Sequence, residues 1–385
     1  MGPLSGMKVV EFAGLGPAPF CAMLLSDLGA DVIRVDRIID PDAPAQLDDG
    51  ATRWGGGVLG RGRRSIALNL KHPDAVLTAI SLIADADVLI EGFRPGVMER
   101  LGLGPDRCHA ANQRLVYGRV TGWGQDGPYS QMAGHDLNFI AIAGVLAAVG
   151  STDGPPVPPL NLIGDFAAGG MFLAVGILAA RAHALTSGVG QVVDTSMVDG
   201  SAYLMAMMFE LLGRGAWVES RGSNPNDGGA HFYGVYETSD GKYVSIAAME
   251  PQFYDRLLVV FGLDPATLPD QWDPAGWPAL RAQFADIFRS RSRDAWCTIL
   301  EGTDTCFAPV LTMSEALVHP HNLHRGTFTT VDGRSAPSPA PKFSVTPGSV
   351  GRAKAFPGEH TDEVLLGLGV PDQAVKKLRD SGAVG

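Results

Sequence analysis

Lys8-Val9-Val10-Glu11, followed by Gly14-Leu15-Gly16-Pro17 and then by Asp31-Val32-Ile33-Arg34-Val35-Asp36, is the stretch that decides the fold. Met7 to Glu11 reads as a short strand, Lys8-Val9-Val10 next to an acid. Gly14 to Pro17 reads as a turn. Pro19 to Leu28 reads as a helix, with Pro17 or Pro19 suited to its first turn, where a proline forfeits no intrahelical hydrogen bond. Gly29-Ala30 stops that helix, and Asp31 to Val35 is the next strand. Strand, helix and strand in this order predict a parallel β-α-β unit.

The alternation continues outward. Ser65 to Leu70 reads as a strand, Asp74 to Ala84 as a helix, Val88 to Glu91 and Leu115 to Val120 as strands. The expected fold is therefore α/β, a Rossmann-like doubly wound parallel sheet. Gly190 to Val193 adds a strand, and Asp194 is expected to open one long helix, Thr195 to Leu212, whose methionines read as packing residues. Gly213 to Gly229 reads as a linker. A smaller α+β domain begins near Ala230, with a hairpin turn at Ser239-Asp240-Gly241. The expected division is a large domain at 1–190, a long helix and linker at 191–229, a small domain at 230–320, and a return to the large domain at 321–385. Residues 39–60 are rich in Pro, Asp and Gly and read as an irregular surface loop.

Composition excludes some functions. A net charge of −11 over 385 residues argues against a nucleic-acid or anionic-membrane binder, which needs a basic face. The four cysteines carry no CxxC pairing and read as reduced thiols of a cytoplasmic protein. Phe166 to Ala184 is the most apolar stretch. It reads as too short and interrupted for a membrane span, and so as a buried helix.

The chemical candidates follow. Gly14-Leu15-Gly16 with Asp36 beyond it resembles a dinucleotide fingerprint. Pro19 in place of the third glycine and Arg37 after the acid weigh against a nicotinamide-dependent dehydrogenase. Arg61, Arg63 and Arg64, with Arg37, Lys71 and Arg94, lie at strand ends, where ligand crevices form. They read either as a polyphosphate site or as a solvated charge run. His319, His321 and His324 do not fall on one helical face, and no metal site is expected there.

Ala133-Gly134-His135-Asp136 and Asn161-Leu162-Ile163-Gly164-Asp165 each precede an apolar, small-residue helix. Asp136 and Asp165 are expected as capping acids at those helix starts. The two starts are expected to face one another, so that the imidazole and a carboxylate reach a substrate carbon from opposite sides. Glu250 stands before Pro251 as an acid at a third helix start.

These residues together resemble the class III (formate-type) CoA-transferase superfamily, and within it the racemase branch. The resemblance runs through Val9 to Glu11, Gly14 to Arg37, Gly92 to Gly104, Thr121 to Gln125, Ala133 to Asp136, Pro159 to Phe166 and Gly190 to Asp194. Beyond these it covers Asp227 to Gly229, Glu250 to Tyr254, Gly302 to Asp304 and Gly358 to Thr361. Ala133-Gly134-His135-Asp136 and Glu250-Pro251-Gln252-Phe253-Tyr254 are racemase features, whereas the general transferase pattern keeps only the aspartate.

The resemblance implies an interlocked homodimer whose active site is shared between subunits. It implies His135 and Asp165 as the acid/base pair, with Glu250 of the partner subunit against His135. CoA contacts are implied at Arg37, Leu68, Asn69, Leu70 and Lys71, and at Ala133, Gly134, Asp136, Leu137 and Asn138; Arg94 and Asn161 are further candidates at neighbouring turns. CoA is then part of an acyl-CoA substrate, and no separate cofactor is expected. The implied activity is an isomerase of lipid metabolism, interconverting (2R)- and (2S)-2-methylacyl-CoA thioesters by proton removal and return at C2. The alternative is a CoA-transferase with Asp165 as the nucleophile, which needs no base on the opposite face.

Overall fold

The computed structural model describes residues 2–39 and 56–385, so most of the loop expected at 39–60 lies outside the described residues. The chain divides into two compact units. One comprises Met1–Ala143, Leu160–Leu204 and Gly326–Gly385; the other comprises Gly144–Pro159 and Met205–Arg325.

In the first unit, β1 (Lys8–Phe12), α1 (Pro17–Asp27) and β2 (Asp31–Asp36) form the β-α-β unit read from the sequence. They are followed by β3 (Arg64–Ala67), α2 (Pro73–Ala84), β4 (Val88–Glu91) and β5 (Val116–Thr121). Next come α3 (Asp136–Ile142), α4 (Leu162–Ser187), β6 (Val192–Ser196) and α5 (Met197–Leu204). The six strands run parallel in the order β3-β2-β1-β4-β5-β6. The winding reverses between β1 and β4, and ligands of such sheets bind beyond the carboxyl ends of the strands near that point.

Successive strand residues point to opposite faces, and here both faces are buried. Val9, Val32, Val88, Ile90 and Val116 pack with Ala18, Ala22 and Leu25 of α1 and with Leu173 and Ile177 of α4. Val10, Val35, Leu89 and Tyr117 pack on the other side with Ala75, Ala79, Leu82 and Ile83 of α2. This is why the strands read as continuous apolar runs.

Four expectations are corrected. The apolar stretch beginning near Phe166 belongs to a helix of 26 residues, α4, long and apolar enough by length to cross a membrane. Its Leu173, Ala174, Ile177, Ala180 and Ala184 are buried within the first unit. Asp194 lies inside β6 and opens no helix, because Thr195 and Ser196 extend the pairing with β5. The long helix expected at Thr195–Leu212 is two, α5 and α6 (Ala206–Gly213), with Met205 between them outside helical geometry at ψ 9.

The basic run is the fourth correction. Arg63 is fully buried against Glu11, with Nε donating to Oε2 at 2.9 Å, and its guanidinium also donates to the carbonyls of Leu59, Arg61 and Pro19. Arg61 is buried against Asp27. Arg64 pairs with Asp31 and Glu363. Arg61 and Arg63 are therefore consumed inside the protein, and Arg64 is engaged in ion pairs at its surface, so the run is not a free cluster of cations.

In the second unit, β7 (Tyr233–Glu237), β8 (Tyr243–Ala247) and β9 (Phe307–Val310) make an antiparallel sheet. The β7-β8 hairpin turns at Gly241, with the Thr238 hydroxyl donating to Asp240 Oδ1 at 2.6 Å. Helices α7 (Pro251–Phe261), α8 (Trp277–Arg289) and α9 (Arg293–Leu300) cover an aromatic core of Phe232, Tyr236, Phe284, Phe288 and Trp296.

Candidate active site

His135 is the residue before α3, in extended backbone, with its side chain exposed. Its backbone N–H donates to Asn138 Oδ1 at 3.1 Å, and its carbonyl accepts from the Asn138 N–H at 2.8 Å. Asn138, the third residue of the helix, thereby accepts from the N-cap N–H as a glutamate or glutamine does in a capping box. The loop entering from β5 is anchored by Trp123. Its indole N–H donates to the Met132 carbonyl at 3.1 Å, and its ring meets the buried Phe139 edge-on at 4.7 Å. The imidazole is thus carried on a braced turn and left open to solvent.

Asp165 comes from the first turns of α4, which are wound as a π-helix over Leu162–Met171. Such wider turns cluster at functional sites. The expectation of two capping acids is corrected here. Asp165 lies inside the helix, and Asp136 does not cap its own helix. Instead the Asp165 N–H donates to Asp136 Oδ2 at 2.7 Å, which ties the start of α4 to the start of α3.

The Asp165 carboxyl is half-buried, and Asn161 Nδ2 donates to its Oδ2 at 3.1 Å. Burial pushes its pKa upward, the Asn161 bond opposes this, the neighbouring Asp136 charge adds to it, and His135 opposes it again. His135 and Asp165 therefore come from two separate helix starts, yet they lie within each other's electrostatic reach. A carboxyl with a raised pKa holds its proton more often near neutrality, as a proton donor should.

Gly16 was read as part of a turn, and its place at the site was missed. Its φ of 67° lies in the left-handed region, and a Cβ there would sit 3.3 Å from Asp165 Oδ2. The turn after β1 therefore forms one wall around the carboxyl. Phe20 of α1 stacks on Phe166 with ring centroids 4.8 Å apart, holding that wall to α4. The Gly14-Leu15-Gly16 signal was present in the sequence, but it pointed to a dinucleotide.

The proposed CoA contacts are distributed along the carboxyl ends of the strands. Arg37 follows β2, Leu68 to Lys71 follow β3, and Arg94 follows β4; Arg37, Asn69, Lys71 and Arg94 are exposed. Leu68 is 2% exposed with its side chain in the core, and its N–H donates to the Asp36 carbonyl at 2.9 Å. The backbone N–H of Asn69 already donates to Ala383 at 2.9 Å. Ala133, Leu137, Asn138 and Asn161 are exposed and Gly134 is half-buried, whereas the Asp136 side chain is buried and turned towards α4. Glu250 stands at the start of α7 in the second unit, exposed and making no side-chain capping bond.

The family model for CoA-transferase family III matches residues 4–361. The chain belongs to that family. It is 45% identical to the α-methylacyl-CoA racemase of Mus musculus, over 99% of this chain and 97% of the relative. It is 42% identical to the Homo sapiens enzyme of the same name, over 97% and 96% of the two chains. A solved CaiB/BaiF family protein from Brucella suis has the same fold, at 24% identity and a TM-score of 0.81, covering 95% of this chain and 99% of that one. Family membership agrees with the six-stranded parallel α/β architecture described above.

Proposed function

We propose that this family member is an isomerase, a racemase that interconverts (2R)- and (2S)-2-methylacyl-CoA thioesters. The observation that carries the reading is an open imidazole at the start of α3 within electrostatic reach of a half-buried carboxyl with a raised pKa in α4. The names of the mammalian relatives support it.

A thioester carbonyl acidifies the proton on C2. Inversion at C2 requires removal of that proton from one face and delivery from the other, so two groups must stand in opposite protonation states. In one direction neutral His135 abstracts and protonated Asp165 donates. In the other, the Asp165 carboxylate abstracts and the His135 imidazolium donates. The enolate formed between these steps needs N–H donors. The Asp165 N–H is already bonded to Asp136, and the start of α3 is assigned as the source.

CoA enters as part of the substrate, and the proton transfers require no further cofactor. Arg37, Lys71 and Arg94 are assigned to its phosphates. Following the family resemblance, Glu250 of the partner subunit is assigned to orient His135 in a homodimer.

The test starts from each pure enantiomer of a 2-methylacyl-CoA. Both should approach the same near-equal mixture, with no CoA passed to an added free carboxylate. CoA transfer to the carboxylate without inversion would instead make Asp165 an acyl-accepting nucleophile.

A further inference from the structure

The Asp136 carboxylate spans the two halves of the site. Its residue is 5% exposed. Oδ2 accepts the Asp165 N–H at 2.7 Å, and the Gly164 N–H adds to the same interaction. Oδ1 is buried with no hydrogen-bond partner among the described residues. The approach is possible only because residue 164 is glycine. A Cβ there would lie 2.7 Å from Asp136 Oδ2 and 2.9 Å from its Cγ. Asp136 directly follows His135 in the chain, and the N–H that it holds belongs to Asp165 itself. One side chain therefore links the backbone under the imidazole to the backbone under the carboxyl.

We propose that Asp136 is a positioning residue, a clamp that fixes Asp165 opposite His135 across C2 of the substrate. Its side chain does not touch substrate. It sets the separation of the two groups that do, and it rests on the racemase reading only for its consequence in catalysis. The Asp136 charge also adds to the upward push on the Asp165 pKa, consistent with an acid at this position in place of a neutral amide. Misplacement of a catalytic group by about 1 Å costs on the order of a hundredfold in rate. That is the scale of effect expected when the clamp is removed.

Two variants break the clamp from opposite ends. Asp136→Ala removes the acceptor, and Gly164→Ala pushes the carboxylate away without altering its chemistry. Both should lower kcat by about 10–100-fold with KM changed less than about threefold. Proton exchange at C2 should slow much more from the enantiomer that Asp165 deprotonates, identified as the one whose exchange is lost in Asp165→Ala. Asp136→Asn, whose amide oxygen still accepts an N–H, should stay within about tenfold of wild type. Backbone amide exchange gives a readout independent of activity. The amides of residues 162–168 should exchange faster in Asp136→Ala than in wild type or Asp136→Asn.

Unchanged amide exchange in Asp136→Ala, or equal slowing of C2 exchange from both enantiomers, would overturn the clamp. A wild-type protein that exchanges no C2 proton would overturn the racemase reading, while the amide exchange would still decide the clamp.

Discussion

His135→Ala and Asp165→Ala are each expected to lower racemisation by about 10²–10⁴-fold, the range for losing a positioned general acid or base. KM should change little, because neither side chain is assigned to CoA. The informative feature is the pattern that remains. With His135 gone, Asp165 still faces one side of C2, so one enantiomer can lose and regain its proton from that side without inverting. With Asp165 gone, the other enantiomer should behave in this way. Proton NMR in D2O, run on each pure enantiomer, separates exchange from inversion. Complementary retention of exchange in the two variants supports one base on each face. Loss of exchange from both enantiomers in one variant, with full retention in the other, would contradict it.

The second large effect concerns stability. Glu11→Ala leaves the Arg63 guanidinium charged in a fully buried position, and breaking such a pair costs about 3–5 kcal/mol. The urea midpoint should fall accordingly. Activity should fall as well, because Arg63 also holds the Pro19 carbonyl in the first turn of α1. That turn begins at Gly16, which walls the Asp165 carboxyl. The double variant Glu11→Met with Arg63→Met replaces the pair by apolar groups and should recover much of the lost stability, since both desolvation costs are removed. A double variant no more stable than Glu11→Ala would show that the remaining bonds of Arg63 to the Leu59, Arg61 and Pro19 carbonyls matter more than the pair.

What could be read from sequence, and what could not, follows from where each signal resides. The β-α-β unit and the parallel sheet were legible because strands buried on both faces leave contiguous apolar runs such as Val9-Val10 and Val88-Leu89-Ile90. The strand β6 was cut short in the reading because Asp194, Thr195 and Ser196 are polar, although the ladder with β5 includes all three. The break between α5 and α6 falls at Met205, with no glycine or proline to mark it. Arg61 and Arg63 looked like ligand-binding cations because their partners are remote. Asp27 is 34 residues away and Glu11 is 52.

His135 and Asp165 were legible as polar residues beside helix starts, and the structure places them within each other's electrostatic reach. The manner of their connection was not legible. Asp136 looked like a cap for its own helix, whereas its carboxylate crosses 29 residues of sequence to an amide of another. Gly164 gave the only hint, as a small residue beside an acid. The first glycine turn resembled a dinucleotide fingerprint that Pro19 and Arg37 weighed against, and its Gly16 packs beside the Asp165 carboxyl.

The most direct measurement is the deuterium content at C2 of the inverted product after one turnover in D2O, starting from each enantiomer in turn. Two-base proton transfer predicts that the inverted product carries one solvent deuterium at C2, from either starting enantiomer, and that His135→Ala forms this product at least about a hundredfold more slowly. Inverted product without deuterium, or labelled inverted product undiminished in His135→Ala, would contradict it.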